Sequence, residues 1–274
     1  MSAHAAHAAR AGVSLQVRLQ ATARSEWIKF RSVRSVPATL LATALFVLVG
    51  AVVLAAGYRS GWATMSAGDK ASFDPVYTSL AGIGLAQLSV GALGVMTVTG
   101  EYTSGLIRGT FTATPQRVQV LSIKALIFTA VVWAVCTVLS FGAFFIGQSL
   151  LTSPARHVAI GDPGVLTAVF GGGLYLTLVG LLSLFIGVLL RRTAAALIAL
   201  FVLLLILPVA AALLPGRLSS NLAEYLPSNA GGQIWKLLHG GAYTLGPWQG
   251  LGVLTGYVAA TALAAFVSIR RRDV

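Results

Sequence analysis

Six apolar runs, each long enough to cross a lipid bilayer, constrain what this chain can fold into. They cover approximately Pro37 to Ala56, Pro75 to Thr99, Leu121 to Leu151, Val165 to Leu190, Thr193 to Leu214 and Trp248 to Ile269. A helix rises about 1.5 Å per residue, so roughly 20 apolar residues cross the ~30 Å of hydrocarbon. Only 9% of the residues are charged and 57% are hydrophobic. A soluble domain carries about a quarter charged residues. The expectation is an all-α integral membrane protein with six transmembrane helices. Pro37 and Pro75 suit first-turn positions, where a missing N–H costs nothing.

The basic residues orient the spans. One face receives 14 of the 19 Lys and Arg residues: six before the first run, then Arg108, Arg117, Lys124, Arg191, Arg192, Arg270, Arg271 and Arg272. The positive-inside rule makes that face cytoplasmic and puts both termini inside a cell membrane. The formal net charge of +12 lies at the ends of apolar runs, where topology selects it, which argues against a nucleic-acid partner. The first run has 36 residues before it, too many for the n-region of a cleaved signal, and it is expected to stay in the membrane. Cys136 is the only cysteine and lies mid-span, so no intrachain disulfide and no Cys-based metal site can form. His4 and His7 belong to a tail without companion ligands.

Residues 1–13 read as a disordered tail, residues 14–36 as an interfacial amphipathic helix and residues 37–274 as the membrane domain. In the second of these, Leu15, Leu19, Ala23, Trp27 and Phe30 recur at helical spacing. Such a helix lies in the headgroup region, with basic residues toward anionic lipid. Glu26 falls near the apolar stripe and wants a cation nearby. Together with Trp27 and Lys29 it is a candidate contact for a cytosolic partner. Plain membrane anchoring is the alternative.

The loop of residues 100–117 carries Leu106, Ile107 and Phe111 among charges. A short helix over Glu101 to Phe111 would put Glu101 in its first turn, where the dipole favours an acid. Leu106 and Phe111 would then project beside Arg108, and Gly105 and Gly109 would admit another backbone. Thr114-Pro115 suits the start of the third span. A loop that merely holds orientation is again the alternative reading.

Absences narrow the chemistry. No Gly-x-x-x-x-Gly-Lys-Ser/Thr phosphate loop occurs, so ATP is not bound here in the usual way. The span interiors carry no Asp, Glu, Lys, Arg or His, unlike those of ion-coupled carriers. Gln87 and Gln148 are the largest polar groups there, fit either to line a pathway or to tie helices together. Gly171-Gly172-Gly173 and Gly252-x-x-x-Gly256 suit close helix packing. No catalytic or metal-ligating constellation is present. The external loop of residues 215–247 is split by Pro227, with Ser228 or Asn229 as a cap for its second piece. Its apolar side chains suit either two short pieces that dip into the outer leaflet and close a pathway or an interfacial loop with no gating role.

Several of these segments carry a resemblance. Glu101-Tyr102, Gly105, Ile107-Arg108, Thr114-Pro115, Arg117 and Lys124 resemble the signature of ABC-2 type ATP-binding-cassette transporter permeases. Ser25 to Ser35 is similar to the interfacial helix of actinobacterial-type members. Gly161-Asp162-Pro163-Gly164, Arg191-Arg192-Thr193, Leu226 to Ala230 and Arg270 to Asp273 match other fixed points, in order, over nearly the whole chain. Val36-Pro37 departs from the pattern, where a bulkier, non-proline start to the span is expected.

The resemblance implies a permease domain over 37–274. It would be a non-enzymatic subunit that exports a hydrophobic or amphiphilic substrate. ATP and Mg would be bound by a separate cytosolic ATPase, and two permeases, identical or paralogous, would pair in the bilayer. It makes residues 100–117 the coupling segment, with Glu101, Tyr102, Leu106, Arg108 and Phe111 as the ATPase-coupling residues. An ATP-independent channel or carrier, and a non-transporting membrane scaffold, are the rival readings.

Overall fold

Each apolar run folds as a helix long and apolar enough to cross a membrane: Ser35–Thr64, Pro75–Tyr102, Val118–Leu150, Val165–Leu190, Thr193–Ala212 and Pro247–Arg271. The computed structural model describes residues 20–33, 35–103, 117–152, 155–213, 222–238 and 245–271. Among the described residues no strand occurs. In chain order the elements are α1 (20–32), α2 (Ser35–Gly61), α3 (Ala67–Ala71), α4 (Pro75–Leu80), α5 (Ile83–Thr103), α6 (Arg117–Leu150), α7 (Val165–Leu190), α8 (Thr193–Phe201), α9 (Leu207–Ala212), α10 (Pro227–Gly232) and α11 (Pro247–Arg271).

α7 is the hub, packing against α5, α6 and α11. Of its most apolar stretch 72% is buried, against 22% in α2 and in α11. Small residues let neighbours come this close. A Cβ on Gly171 would meet the Ile234 side chain at 2.4 Å, and one on Gly173 would meet Thr137 Cα at 2.7 Å. The Gly171 to Gly173 run thus serves packing. Gly252 and Gly256 differ: a Cβ on either meets nothing within 4 Å, so neither packs on the described residues.

The second span is not one continuous helix. α4 ends at Leu80 and α5 begins at Ile83, with a turn at Ala81-Gly82. The break coincides with the crossing of α2, where a Cβ on Gly82 would lie 2.2 Å from the Phe46 carbonyl oxygen. The fifth span is also interrupted. Pro208 has no N–H to give the Leu204 carbonyl, and the helix widens just before it into a π turn, Val202–Ile206, closed by Leu207 N–H donating to Val202 O. Leu41, Leu126, Val138 and Leu263, all at least 68% exposed, lie on the outer faces of the bundle. In water so large an apolar surface would be a liability, whereas in a bilayer it is solvated.

α5 and α7 pack closely at Gly94, where a Cβ would stand 2.3 Å from both the Gly180 carbonyl oxygen and Ser183 Oγ. Backbone cannot yield as a flexible side chain can. Gly94→Leu is expected to destabilise the fold by about 3 kcal/mol or more. Gly256→Leu, facing open space, should shift stability by under about 0.5 kcal/mol. Thermal unfolding of both variants in detergent checks the contrast.

Candidate functional site

The basic end of the bundle holds an ionic junction between three helices. α1 brings Glu26 and Lys29, the last turn of α5 brings Glu101, and Lys124 comes from α6, two turns after its start at Arg117. Lys29 Nζ donates to Glu26 Oε1 at 2.7 Å, and Lys124 Nζ donates to Glu101 Oε1 at 2.7 Å. Lys124 also pairs with Glu26 Oε2, and Lys29 lies 3.8 Å from Glu101 Oε1. The side chains of Glu26 and Lys124 are 2% and 9% exposed, so this pair is buried. Burial alone raises the Glu26 carboxyl, but Lys124 and Lys29 outweigh it and hold it below its ordinary value. Two acids and two lysines leave the quartet neutral.

Beside the quartet, Phe30 of α1 is buried edge-on against Phe128 of α6, with ring centroids 6.2 Å apart. Arg191, at the turn between α7 and α8, lies over the Tyr102 ring at 5.5 Å. Its φ of 57° is left-handed, a conformation that costs a side-chain-bearing residue about 1–2 kcal/mol. Its N–H closes α7 by donating to the Gly187 carbonyl, and the contact with Tyr102 offsets part of the strain. Thr193 Oγ1 donates to Thr99 Oγ1 at 2.9 Å, a second tie between α5 and α8.

The geometry corrects two readings of this end. Glu101 does not open a separate short helix. α5 continues through Thr103, so Glu101 and Tyr102 close the span helix, where the dipole disfavours an acid and the lysines compensate. Leu106, Arg108 and Phe111 lie outside the described residues. The apolar stripe of α1 also divides: Phe30 turns into the bundle while Trp27 is 46% exposed, and Leu15 and Leu19 lie outside the described residues. The cation that Glu26 needs comes from its own chain, so Glu26 by itself no longer argues for an outside partner.

Gln87 and Gln148 both serve as interhelical ties. Tyr175 Oη donates to Gln87 Oε1 at 2.5 Å, and Gln87 Nε2 donates to the Gly84 carbonyl. Gln148 Nε2 donates to the Pro75 carbonyl and to Ser79 Oγ. Its Oε1 accepts from Val158 N–H.

The opposite end is organised by Asp74, which sequence reasoning missed. Its Oδ1 caps α4, accepting from the N–H groups of Val76 and Tyr77 at 2.9 Å each. Its Oδ2 accepts from those of Leu237 and Leu238 at 2.7 and 2.9 Å. An Asp directly before a helix-opening proline is a legible capping signal, but its long-range half is not.

The segment held by Asp74 enters the bundle. Ile234 and Trp235 are buried, and Trp235 stacks on Tyr77 at 5.2 Å. Burial draws the Lys236 ammonium below its ordinary value, with Asp74 opposing. Pro227 is the first residue of α10, and Leu226 stands at its cap position with no side-chain bond. Ser228 and Asn229 lie inside α10 and not at its cap position, and Asn229 Nδ2 donates to the Ala223 carbonyl.

In comparisons with known proteins, the sequence matches no family model and no curated protein.

Proposed function

We propose that this chain is the permease subunit of an ATP-binding-cassette transporter, exporting a hydrophobic or amphiphilic substrate across the cell membrane. A separate cytosolic ATPase chain supplies ATP and Mg, and two permeases act together with both termini in the cytoplasm. The observation that carries the reading is the neutral quartet. The segment 104–116 leaves α5 just after Glu101 and Tyr102 and joins α6 shortly before Lys124. Both of its anchors are therefore tied to each other and, through Glu26 and Lys29, to α1. A push on that segment moves three helices together. Span interiors without ionisable residues agree with energy arriving from outside the membrane.

The test is coupling in the assembled complex. Phe111→Asp and Arg108→Ala should leave membrane insertion intact and abolish both transport and substrate-stimulated ATP hydrolysis. Wild-type stimulation in the Phe111→Asp complex overturns the coupling role. Transport by the chain alone in proteoliposomes, with no ATPase present, overturns the ATP-driven reading.

A further inference from the structure

At the end of the bundle opposite the ionic junction, a cavity of about 480 Å³ opens between the last turns of α2, α3 and the start of α4. That volume lies within the roughly 300–1,000 Å³ of small-molecule sites. Three aromatic side chains, Tyr58, Phe73 and Tyr77, line it together with Met65 and two acids, Asp69 and Asp74. Among the described residues no Lys, Arg or His stands in its wall. The aromatic wall is held in place. Phe73 is buried, with its ring centroid 5.0 Å from that of Tyr58 and 5.1 Å from that of Trp62. Tyr58 and Tyr77 are 38% and 41% exposed, so the cavity is open to solutes.

Rings and carboxylates in one wall call for a cation. Lys70 and Lys236 show the attraction from outside the wall: each ammonium lies 5.9 Å over an aromatic ring, that of Trp62 and that of Tyr77 respectively. The remaining question is which cation. A metal ion wants several oxygen ligands. Asp74 already spends both oxygens on four backbone N–H groups, and among the described residues no three of His, Cys, Asp and Glu gather as a metal would need. A primary ammonium brings three N–H donors. Of the two acids only Asp69, which accepts from Ser66 Oγ at 2.7 Å, has capacity left to receive them. A quaternary ammonium has no N–H to satisfy, and its methyl groups suit aromatic faces. We propose that this pocket binds a small soluble quaternary ammonium compound, its methyl groups against Tyr58, Phe73 and Tyr77 and its charge toward Asp69. The site stands independently of the transport reading, since it needs only the rings, the acids and the cavity.

The test uses the full chain in a maltoside detergent, which carries no choline group. Equilibrium binding of choline is compared with that of ethanolamine and of the neutral tert-butyl analogue of choline. Choline should bind about fivefold tighter than either, or more. Tyr58→Leu removes one ring and Asp69→Asn one charge, and each should weaken choline binding about fivefold. Three results overturn the proposal: no choline bound by the wild type, ethanolamine or the neutral analogue bound as tightly as choline, or undiminished binding in both variants. If Tyr58→Leu does not fold, Asp69→Asn, a change at an exposed side chain, decides alone. Bilayers separate a solute from a lipid headgroup. Choline binding that is equal in phosphocholine and phosphoglycerol bilayers supports the soluble ligand. Binding lost only in phosphocholine bilayers gives the pocket to the lipid headgroup and overturns that assignment.

Discussion

Lys124→Met is expected to destabilise the chain by about 3–5 kcal/mol at neutral pH, because it removes the buried cation that two acids share. Methionine matches the lysine stem in length and is at home among helices, so packing is nearly kept and charge is what is lost. Lys124 is bonded to both Glu26 and Glu101, and Glu26 is 3% exposed.

The pH dependence gives a sharper test than the midpoint. In the wild type, Glu26 is held below its reference value of 4.5. Its contribution to stability is present above that value and lost as pH falls through the depressed folded one. Without Lys124, burial is opposed by Lys29 alone and the carboxyl rises. The variant should then lose less stability than the wild type on acidification, and the two curves should converge. Adding Glu26→Gln to the Lys124→Met background should recover a substantial part of the loss. Thermal unfolding in detergent across pH measures all three proteins. Parallel curves for wild type and Lys124→Met would show that Lys124 does not hold Glu26.

Asp74→Ala is the second large effect, expected to cost about 2–4 kcal/mol. It removes a helix cap, worth about 0.5–2 kcal/mol, and two further charge-assisted bonds across the fold. The second pair joins residues 163 and 164 positions away in sequence. Its loss should free the segment that carries Trp235 into the bundle. Hydrogen exchange reads this directly: the amides of Leu237 and Leu238 should accelerate together with those of Val76 and Tyr77. Asp74→Asn keeps one carbonyl oxygen and should speed only one pair. Acceleration confined to Val76 and Tyr77 in Asp74→Ala would reduce Asp74 to a local cap.

The sites divide in the same way. Glu26 was legible as an acid in search of a cation, because its neighbours in sequence put it near an apolar stripe. That the cation would be Lys124 was not legible, since Lys124 reads locally as one more orienting charge at the edge of a span. Glu101 reads locally as the first turn of a separate helix, because an acid there suits the dipole. The ionic junction instead carries α5 through to Thr103. That Gln87 and Gln148 tie elements together is visible only through their partners elsewhere in the chain.

By itself the sequence determined the six spans, because crossing hydrocarbon takes a fixed length of apolar helix and each run supplies it. It also determined the packing use of Gly171 to Gly173, which depends on residue size. The tertiary structure decided which charges meet, where the second span breaks and what holds the segment around Trp235 in the bundle. Each of these rests on an approach of a few ångströms between residues far apart in the chain. A local pattern can show that a buried charge needs a partner, and the packing of helices decides which one it finds.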